Sequence, residues 1–359
     1  MKNDTIEVCS DAEKLIASYQ LPTEFEFGKL KAPIMISMEF KNGKWNKPSI
    51  IPYQKIELDP CAKVLHYAQE IFEGMKAYKS EEGKLALFRP LENWKRFNLS
   101  ARRLAMPEIS QEDFMLPIQE LVKLCAPIIP TKLGYSLYLR PMMIATEGSL
   151  GVKPSDDYLY LVIASPSGHY FPGVTSVKVY AESEFCRASR GGMGFAKTGG
   201  NYAGALLADK QMRAKGFHQT MWLDGEEKKY IEEMSGMNFF AIIDGVLTTP
   251  ELCSTILDGI TRKSVIDIAR FLGVKVVEKR MNIMDLTQAI KAKKCTEAFV
   301  CGTAAVMTPV ESIFYQNEDF LIEKIEGKPL GPLTQKIKDE LLGIQYSYRP
   351  DPLGFRLVI

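Results

Sequence analysis

Ser189-Arg190-Gly191-Gly192-Met193-Gly194-Phe195-Ala196-Lys197-Thr198-Gly199-Gly200-Asn201-Tyr202-Ala203-Gly204 holds six glycines and one lysine between Gly191 and Gly204. Glycine loses much conformational freedom on folding, so such density implies positive φ or a backbone that must approach something closely. Lys197 is the one cation between Arg190 and Lys210. Turned inward, its amine would lose hydration and become easier to deprotonate, the state a lysine needs to attack a carbonyl. Turned outward, it is the solvated lysine of a flexible surface loop, which is the commoner fate of Gly-rich segments. A nucleotide P-loop does not fit. Gly194 and Gly199 have the right gap, but Gly200-Asn201 stands where Lys-Ser/Thr is required.

The 359 residues are long for one core and imply two domains. Apolar residues make up 46% and charged residues 25%, an ordinary globular composition. A net charge of +1 gives no electrostatic case for nucleic acid or an anionic membrane as partner. The first 25 residues carry neither an apolar signal run nor an Arg-rich transit pattern, and no apolar run is long enough to span a bilayer. A soluble cytoplasmic protein is expected. Seven widely spaced cysteines without a Cys-x-x-Cys read as reduced thiols, with no disulfide framework and no metal site. The only histidines are His66, His169 and His218, which leaves a His-based hydrolase poorly supplied and shifts weight to lysine chemistry.

Outward from the glycine stretch, the first half reads as hairpins plus two helices, an α+β arrangement. A short helix covers Asp11 to Tyr19. Strands flank Asn42-Gly43 and Glu82-Gly83, with Leu65-His66-Tyr67 and Ile71 to Tyr78 between them. Helices are expected from Leu91 to Ala105 and from Ser110 to Cys125; Pro117 would suit a later start for the second, at a first helical position. Long strands cover Tyr135 to Ile144 and Leu159 to Ala164. The domains expected are 1–165, a linker region 166–184 that is rich in Ser, Gly and Pro at its start, and 185–359. In the second half a helix spans Asn201 to Lys215, and strand pairs turn at Asp224-Gly225 and Asp244-Gly245. A helix with the stripe Val265, Ile268, Ala269, Leu272 follows, then a strand, a helix and the Ala298 to Cys301 strand, before a Pro-rich tail.

Gly259-Ile260-Thr261 precedes a helix start, where free N–H groups, a hydroxyl and the helix dipole favour an anion. Read alone, Thr261 is an ordinary N-cap. Gly302-Thr303-Ala304 repeats the pattern after a strand. Glu232-Glu233 and the mid-helix Arg96 are weak signals singly: a solvated acidic pair and a surface cation over apolar area. Together, a lysine, a carboxylate and two anion cups match the needs of pyridoxal 5′-phosphate: an amine for its aldehyde, an acid for its ring nitrogen, a cup for its phosphate.

These motifs resemble the branched-chain amino acid aminotransferases, fold-type-IV pyridoxal phosphate enzymes. The resemblance rests on Arg187-x-x-x-Gly-Gly-x-Gly-x-x-Lys197-x-Gly-Gly-Asn-Tyr202, Glu233-x-x-x-Met-Asn238, Gly259-Ile-Thr-Arg262 and Cys301-Gly-Thr303-Ala. It extends through Phe25-Glu-Phe27-Gly-Lys, Val64-Leu-His-Tyr67, Phe72-Glu-Gly-Met-Lys-Ala-Tyr78, Leu137-Tyr138-Leu-Arg140-Pro, Ser149-Leu-Gly-Val152 and Gly168-His-Tyr170-Phe-Pro-Gly, as in the longer, eukaryotic-like members. It covers about residues 20 to 350. It implies a two-domain fold, with a smaller N-terminal α/β domain and a larger C-terminal pseudo-barrel that holds the cofactor. It implies reversible amino transfer from L-leucine, L-isoleucine or L-valine to 2-oxoglutarate, in synthesis or breakdown.

The resemblance also implies roles. Lys197 attaches the cofactor and shuttles the proton, Tyr202 meets the ring oxygen, and Glu233 meets the pyridine nitrogen. Arg96, Ile260, Thr261 and Thr303 hold the phosphate. Thr303 and Ala304 offer N–H groups to the substrate carboxylate near Tyr138 and Arg140. Phe27, Tyr67, Phe72 and Tyr138 wall an apolar pocket, and Val152 and Tyr170 reach in from the partner of a homodimer. Two departures stand out. Ala305-Val306-Met307-Thr308 occupies the place of a redox Cys-x-x-Cys, so no such switch is expected, and Gly236 replaces a hydroxyl residue. D-amino acid aminotransferases and aminodeoxychorismate lyases share the lysine and the phosphate cup but are usually shorter. A non-catalytic cofactor carrier is the reading from another class, disfavoured by the intact Lys197, Tyr202, Glu233 and Thr303.

Overall fold

A computed structural model describes residues 6–170, 173–323, 325, 327–328 and 330–359. Phe171 and Pro172, the end of the expected linker motif, lie outside the described residues. The chain divides into two compact units. The first takes the described chain up to Tyr170, then Ala196–Gly199 and Ile344–Ile359; the second takes 173–195 and Gly200–Gly343. The four residues around Lys197 thus belong to the first unit, although the chain on both sides belongs to the second.

The first unit is built on one sheet. Its order is Glu7–Val8, Ser49–Pro52, Ile34–Lys41, Tyr158–Ser167, Ser136–Ala145, Met75–Lys79, Leu85–Phe88 and Arg356–Val358. Glu70–Phe72 pairs with the outer part of Ser136–Ala145. Alternation gives the sheet two unlike faces. Ile36, Met75, Ala77, Leu137, Leu139 and Val162 bury in a core with Phe97 of helix Pro90–Arg103 and Phe114, Ile118 and Leu121 of helix Gln111–Leu124. The intervening positions Lys76, Tyr138 and Arg140 project from the opposite face. Helix Pro90–Arg103 begins with proline at its first position, where the missing N–H is no loss. It buries Asn93, Arg96, Phe97, Ser100 and Ala101, one stripe at spacings of three and four.

The second unit has its own sheet, ordered Val276–Lys279, Val246–Pro250, Asn238–Ile243, Cys295–Gly302, Val306–Tyr315, Val177–Glu182, Gln219–Leu223, Tyr230–Met234 and Met281–Asn282. Its core includes Val179, Met221, Phe239, Val300 and Ile313. Asp244 and Gly245 both have positive φ, 50° and 75°, between paired Ile243 and Val246, the two-residue hairpin expected of Asp-Gly. Asn42-Gly43 closes the same kind of turn in the first unit. Among the described residues no helix is long and apolar enough to cross a membrane.

Four expectations need correction. Lys63–Tyr67, within which Leu65-His66-Tyr67 lies, is a short helix ended by Ala68 at φ 49°; its Lys63 is buried against Glu147. The second long helix does start just after Ser110, whose Oγ accepts from Asp113 N at 3.0 Å; Pro117 sits inside the helix, buried in the core. The expected helix Asn201 to Lys215 breaks into Gly200–Ala203 and Leu206–Ala214. The Pro-rich tail contains helix Pro332–Gln345 and strand Arg356–Val358. The helix buries Ile337, Leu341 and Ile344, and the Glu297 carboxylate accepts from Leu333 N and Thr334 N at its start. Pro332 is compatible with that start and is not a breaker there.

Candidate active site

In the first unit, Lys197 is held by its backbone. Its N–H donates to Ser100 Oγ at 2.9 Å, and its carbonyl accepts from Phe72 N at 3.0 Å. Thr198 Oγ1 donates to Glu70 O at 2.7 Å, and Gly199 N donates to the Glu70 carboxylate. A Cβ at position 199 would meet the tip of the Glu70 side chain, which would have to shift to make room. The segment is therefore a fixed strap, not a solvated loop. Lys197 Nζ lies 4.7 Å from the centre of the Phe72 ring. The Arg140 guanidinium lies 4.8 Å from the same ring, and Arg140 Nη2 donates to Tyr138 OH at 3.0 Å. Phe27 packs edge-on to Tyr138 and Tyr170, with ring centres 4.8 and 5.3 Å apart.

Arg96 is buried and bound to a carboxylate that the sequence reading assigned no role. Its Nε and Nη2 donate to Glu73 Oε1 and Oε2 at 2.7 and 2.8 Å. Asn93 Nδ2 and Gly74 N also donate to Glu73 Oε2. Glu73 has no solvent exposure. Burial pushes its carboxyl up, but the charge and hydrogen bonds of Arg96, the charge of Lys197 and the Asn93 hydrogen bond together hold it below the ordinary range. Ser100 accepts from Lys197 N and donates to Arg96 O at 3.0 Å, so one hydroxyl links the strap to the helix turn carrying Arg96. Asn93, Arg96 and Ser100 share a helix face, which is why a single helix can serve all three contacts.

In the second unit, Glu233 is the centre. Arg187 Nη2 lies 2.5 Å from its Oε1, both side chains about 6% exposed. Leu257 N and Asn238 Nδ2 donate to its Oε2 at 3.2 and 3.3 Å. Asn238 also donates to Leu257 O at 3.0 Å and pairs with Cys301 in the sheet. This one amide joins the Glu233 strand to the loop before helix Ile260–Phe271 and to the strand ending at Gly302. A Cβ on Gly259 would strike Asn238 Oδ1. The helix has Gly259 as its N-cap and no side-chain cap, so Thr261 is its second residue and not its cap. Gly302 pairs with Val306 across the turn of Thr303, Ala304 and Ala305. Gly302 abuts Met237 and Gly236, which puts that turn beside the end of the Glu233 strand. The neighbouring Glu232 is buried: burial pushes its carboxyl up, opposed by a hydrogen bond from Thr255 and the charge of Arg187.

Of the residues singled out in the sequence, the first unit brings together Lys197, Phe72, Tyr138, Arg140, Phe27 and Tyr170, with Arg96 one helix turn from Ser100. The second brings together Glu233, Ile260, Thr261, Thr303 and Ala304; Tyr202 lies half-buried on helix Gly200–Ala203. Tyr67 OH donates to Leu150 O on the surface, and Val152 is 85% exposed. Glu73, Arg187, Asn238 and Ser100 hold candidate site residues in place, and sequence reasoning left them without a role. Three of them stood inside the quoted motifs, but an internal carboxylate or amide carries no mark of its burial in a sequence.

A family model described as Amino-transferase class IV matches residues 70–313. The "Probable branched-chain-amino-acid aminotransferase" of Staphylococcus aureus (strain N315) is 44% identical over 340 residues, 94% of each chain. "Branched-chain-amino-acid aminotransferase 2" of Bacillus subtilis (strain 168) is 44% identical over 336 residues, 93% of this chain and 92% of that one. Among solved structures, a T.th. branched-chain amino acid aminotransferase complexed with N-(5′-phosphopyridoxyl)-L-glutamate matches with a TM-score of 0.72 and 30% identity, over 89% of this chain and 97% of that one. The chain belongs to the class IV aminotransferases, and its two sheets with their helices are the fold-type-IV architecture. Within that class it falls in the branched-chain-amino-acid aminotransferase family.

Proposed function

We propose that this transaminase moves the amino group reversibly between L-leucine, L-isoleucine or L-valine and 2-oxoglutarate, using pyridoxal 5′-phosphate, as a cytoplasmic homodimer. The observation that carries the reading is the strap at Lys197, fixed through Ser100 and Glu70 with its amine over Phe72. A lysine held in this way is a positioned amine, and positioning is most of what covalent attachment and proton transfer require.

Each unit carries groups of the kind the cofactor needs. The uncapped start of helix Ile260–Phe271 leaves N–H groups and dipole for a phosphate. Arg96, oriented by Glu73, supplies the cation, and Thr261 and Thr303 supply hydroxyls. Glu233 is kept in place by Arg187 and Asn238 to hydrogen-bond a ring nitrogen. Tyr202 is assigned the ring oxygen. When bound, the cofactor acts as an electron sink for the carbanion at the substrate Cα. Lys197 Nζ is the base that takes the Cα proton and the acid that returns it. Thr303 and Ala304 offer N–H groups to the substrate carboxylate. Phe27, Tyr67, Phe72 and Tyr138 are assigned to the pocket walls, where they would favour branched aliphatic side chains by excluding water. The exposed Val152 and Tyr170 are assigned to a partner's site, which is the basis for the homodimer.

The test is the visible absorbance of the purified protein. The expected result is a cofactor band that changes on adding L-leucine alone and returns with 2-oxoglutarate. A band that responds to D-alanine and ignores L-leucine would overturn the proposal, as would the absence of any band with added pyridoxal phosphate.

A further inference from the structure

Residues 146–157 join the two paired strands Ser136–Ala145 and Tyr158–Ser167 of the first unit. Hairpin loops commonly take about two to five residues, and a much longer one with no helix or strand of its own usually serves a function. This loop is pinned along its length to the segment around helix Lys63–Tyr67. Lys63 N donates to Glu147 O and Ser149 N to Cys61 O, both at 3.1 Å. Ser155 N donates to Gln69 Oε1 at 3.1 Å. A buried charge makes the remaining pins. Lys63 has no solvent exposure; its Nζ lies 3.0 Å from Glu147 Oε2 and donates to Lys153 O at 3.1 Å and Pro154 O at 3.4 Å. One cation therefore holds the loop on both sides of its tip, at 147 and at 153–154. An aliphatic side chain would fill the same space without the desolvation cost of an ammonium, so what the charge adds is geometry. The tip held in this way is apolar: Leu150 and Val152 are both exposed. Tyr67 lies four residues after Lys63, on the same helix face, and its hydroxyl donates to Leu150 O.

We propose that Lys63 is a positioning residue for the active site of a second copy of the chain: its buried ammonium fixes residues 147–154, so that Leu150 and Val152 are presented to that copy in one conformation. This rests on the homodimer reading above, which assigns Val152 to a partner's site, and names what holds the loop ready. A loop ordered in advance spares substrate binding the cost of ordering it. Lys63 acts only through the loop.

Hybrid dimers separate action on the partner from action within a subunit. Lys197→Ala silences one subunit, and two affinity tags select dimers with a single intact site, loaded with pyridoxal phosphate. Lys63→Met is then placed either on the silent subunit or on the subunit that keeps Lys197. Replacing a buried cation by an apolar group of similar volume is usually tolerated. On the silent subunit the change should raise the KM for L-leucine at the other subunit's site about tenfold, the usual scale for one lost charged hydrogen bond, with kcat within about twofold. On the subunit that keeps Lys197 it should move neither constant. A rise with both placements, or only with the second, would make Lys63 a packing residue of its own subunit and overturn the proposal. No rise with either placement, or a loss confined to kcat, would overturn it too. Glu147→Gln keeps the loop's shape and leaves Lys63 its two carbonyl partners. It should give the same placement-dependent rise at about threefold, a smaller contribution. It decides the matter if Lys63→Met does not fold: a rise only from the silent subunit supports the proposal and none refutes it. Failure of the homodimer reading looks different. Val152→Asp on the silent subunit would then leave L-leucine turnover unchanged, and the proposal would fall with that reading.

Discussion

Replacing Glu73 by Gln keeps the side chain's shape and removes one charge from a site with no solvent. Arg96 would remain buried with two N–H donors facing an amide in place of a carboxylate. Removing one partner of a buried ion pair typically costs about 3–5 kcal/mol. Gln can still accept from Asn93 and Gly74, so the lower end applies, about 3 kcal/mol. For a unit of this size, each kcal/mol moves the midpoint by roughly 2–4 °C, giving a fall in Tm of about 6–12 °C. The pH dependence carries the sign. The folded state holds Glu73 below its ordinary value, so its contribution is fully present above the unfolded glutamate pKa of roughly 4.3. That contribution is lost as pH falls through the lower, folded value. Gln does not titrate. Thermal unfolding followed by circular dichroism between pH 7 and the most acid pH at which the protein stays folded should therefore show a gap that narrows in acid. A gap of the same size at every pH would mean that the cost is packing and not charge, and a gap below about 1 kcal/mol at neutral pH would refute the ion-pair argument outright.

Other outcomes follow from particular contacts. Lys197→Ala should abolish transamination while leaving the far-ultraviolet spectrum unchanged, because the strap is held by backbone bonds that alanine can make; substantial remaining kcat would mean that another amine does the work. Gly259→Ala forces a methyl group against Asn238, whereas Gly236→Ala meets open space. The first should weaken pyridoxal phosphate binding by roughly 1–3 kcal/mol, as overpacking does, and the second by less than about 0.5 kcal/mol, both read by fluorescence titration. Equal behaviour of the two would discount Asn238 as the link to Glu233. Arg187→Ala leaves Glu233 buried without its cation and should destabilise the second unit by about 3–5 kcal/mol in a denaturant titration, with loss of cofactor. Glu297→Ala, which frees two N–H groups at the start of helix Pro332–Gln345, should lower stability by about 1 kcal/mol in the same assay without changing cofactor affinity.

The chain's local chemistry is what the sequence determined. Asn42-Gly43 and Asp244-Gly245 had to be tight turns, because their backbone needs positive φ at two successive residues. Ser110 had to open a helix, since its hydroxyl satisfies the Asp113 N–H even with Pro117 further along. The lysine in its glycine cluster and the two Gly-hydroxyl turns marked a reactive amine and anion cups, and the motif spacing carried the family. Burial is what the sequence could not determine. Glu73 and Glu82 read alike as acids beside glycine, yet one is sealed against Arg96 and the other is solvated. The Pro-rich tail hid a helix because Pro332 is a breaker in one position and a start in another, and only the Glu297 carboxylate, far earlier in the chain, settles which. The strap at Lys197 belongs to the first unit through Ser100 and Glu70, whose bonds to it span 97 and 128 positions of the chain. Such contacts depend on where distant segments come to rest, and it is the tertiary structure that turns a glycine-rich loop into a fixed amine.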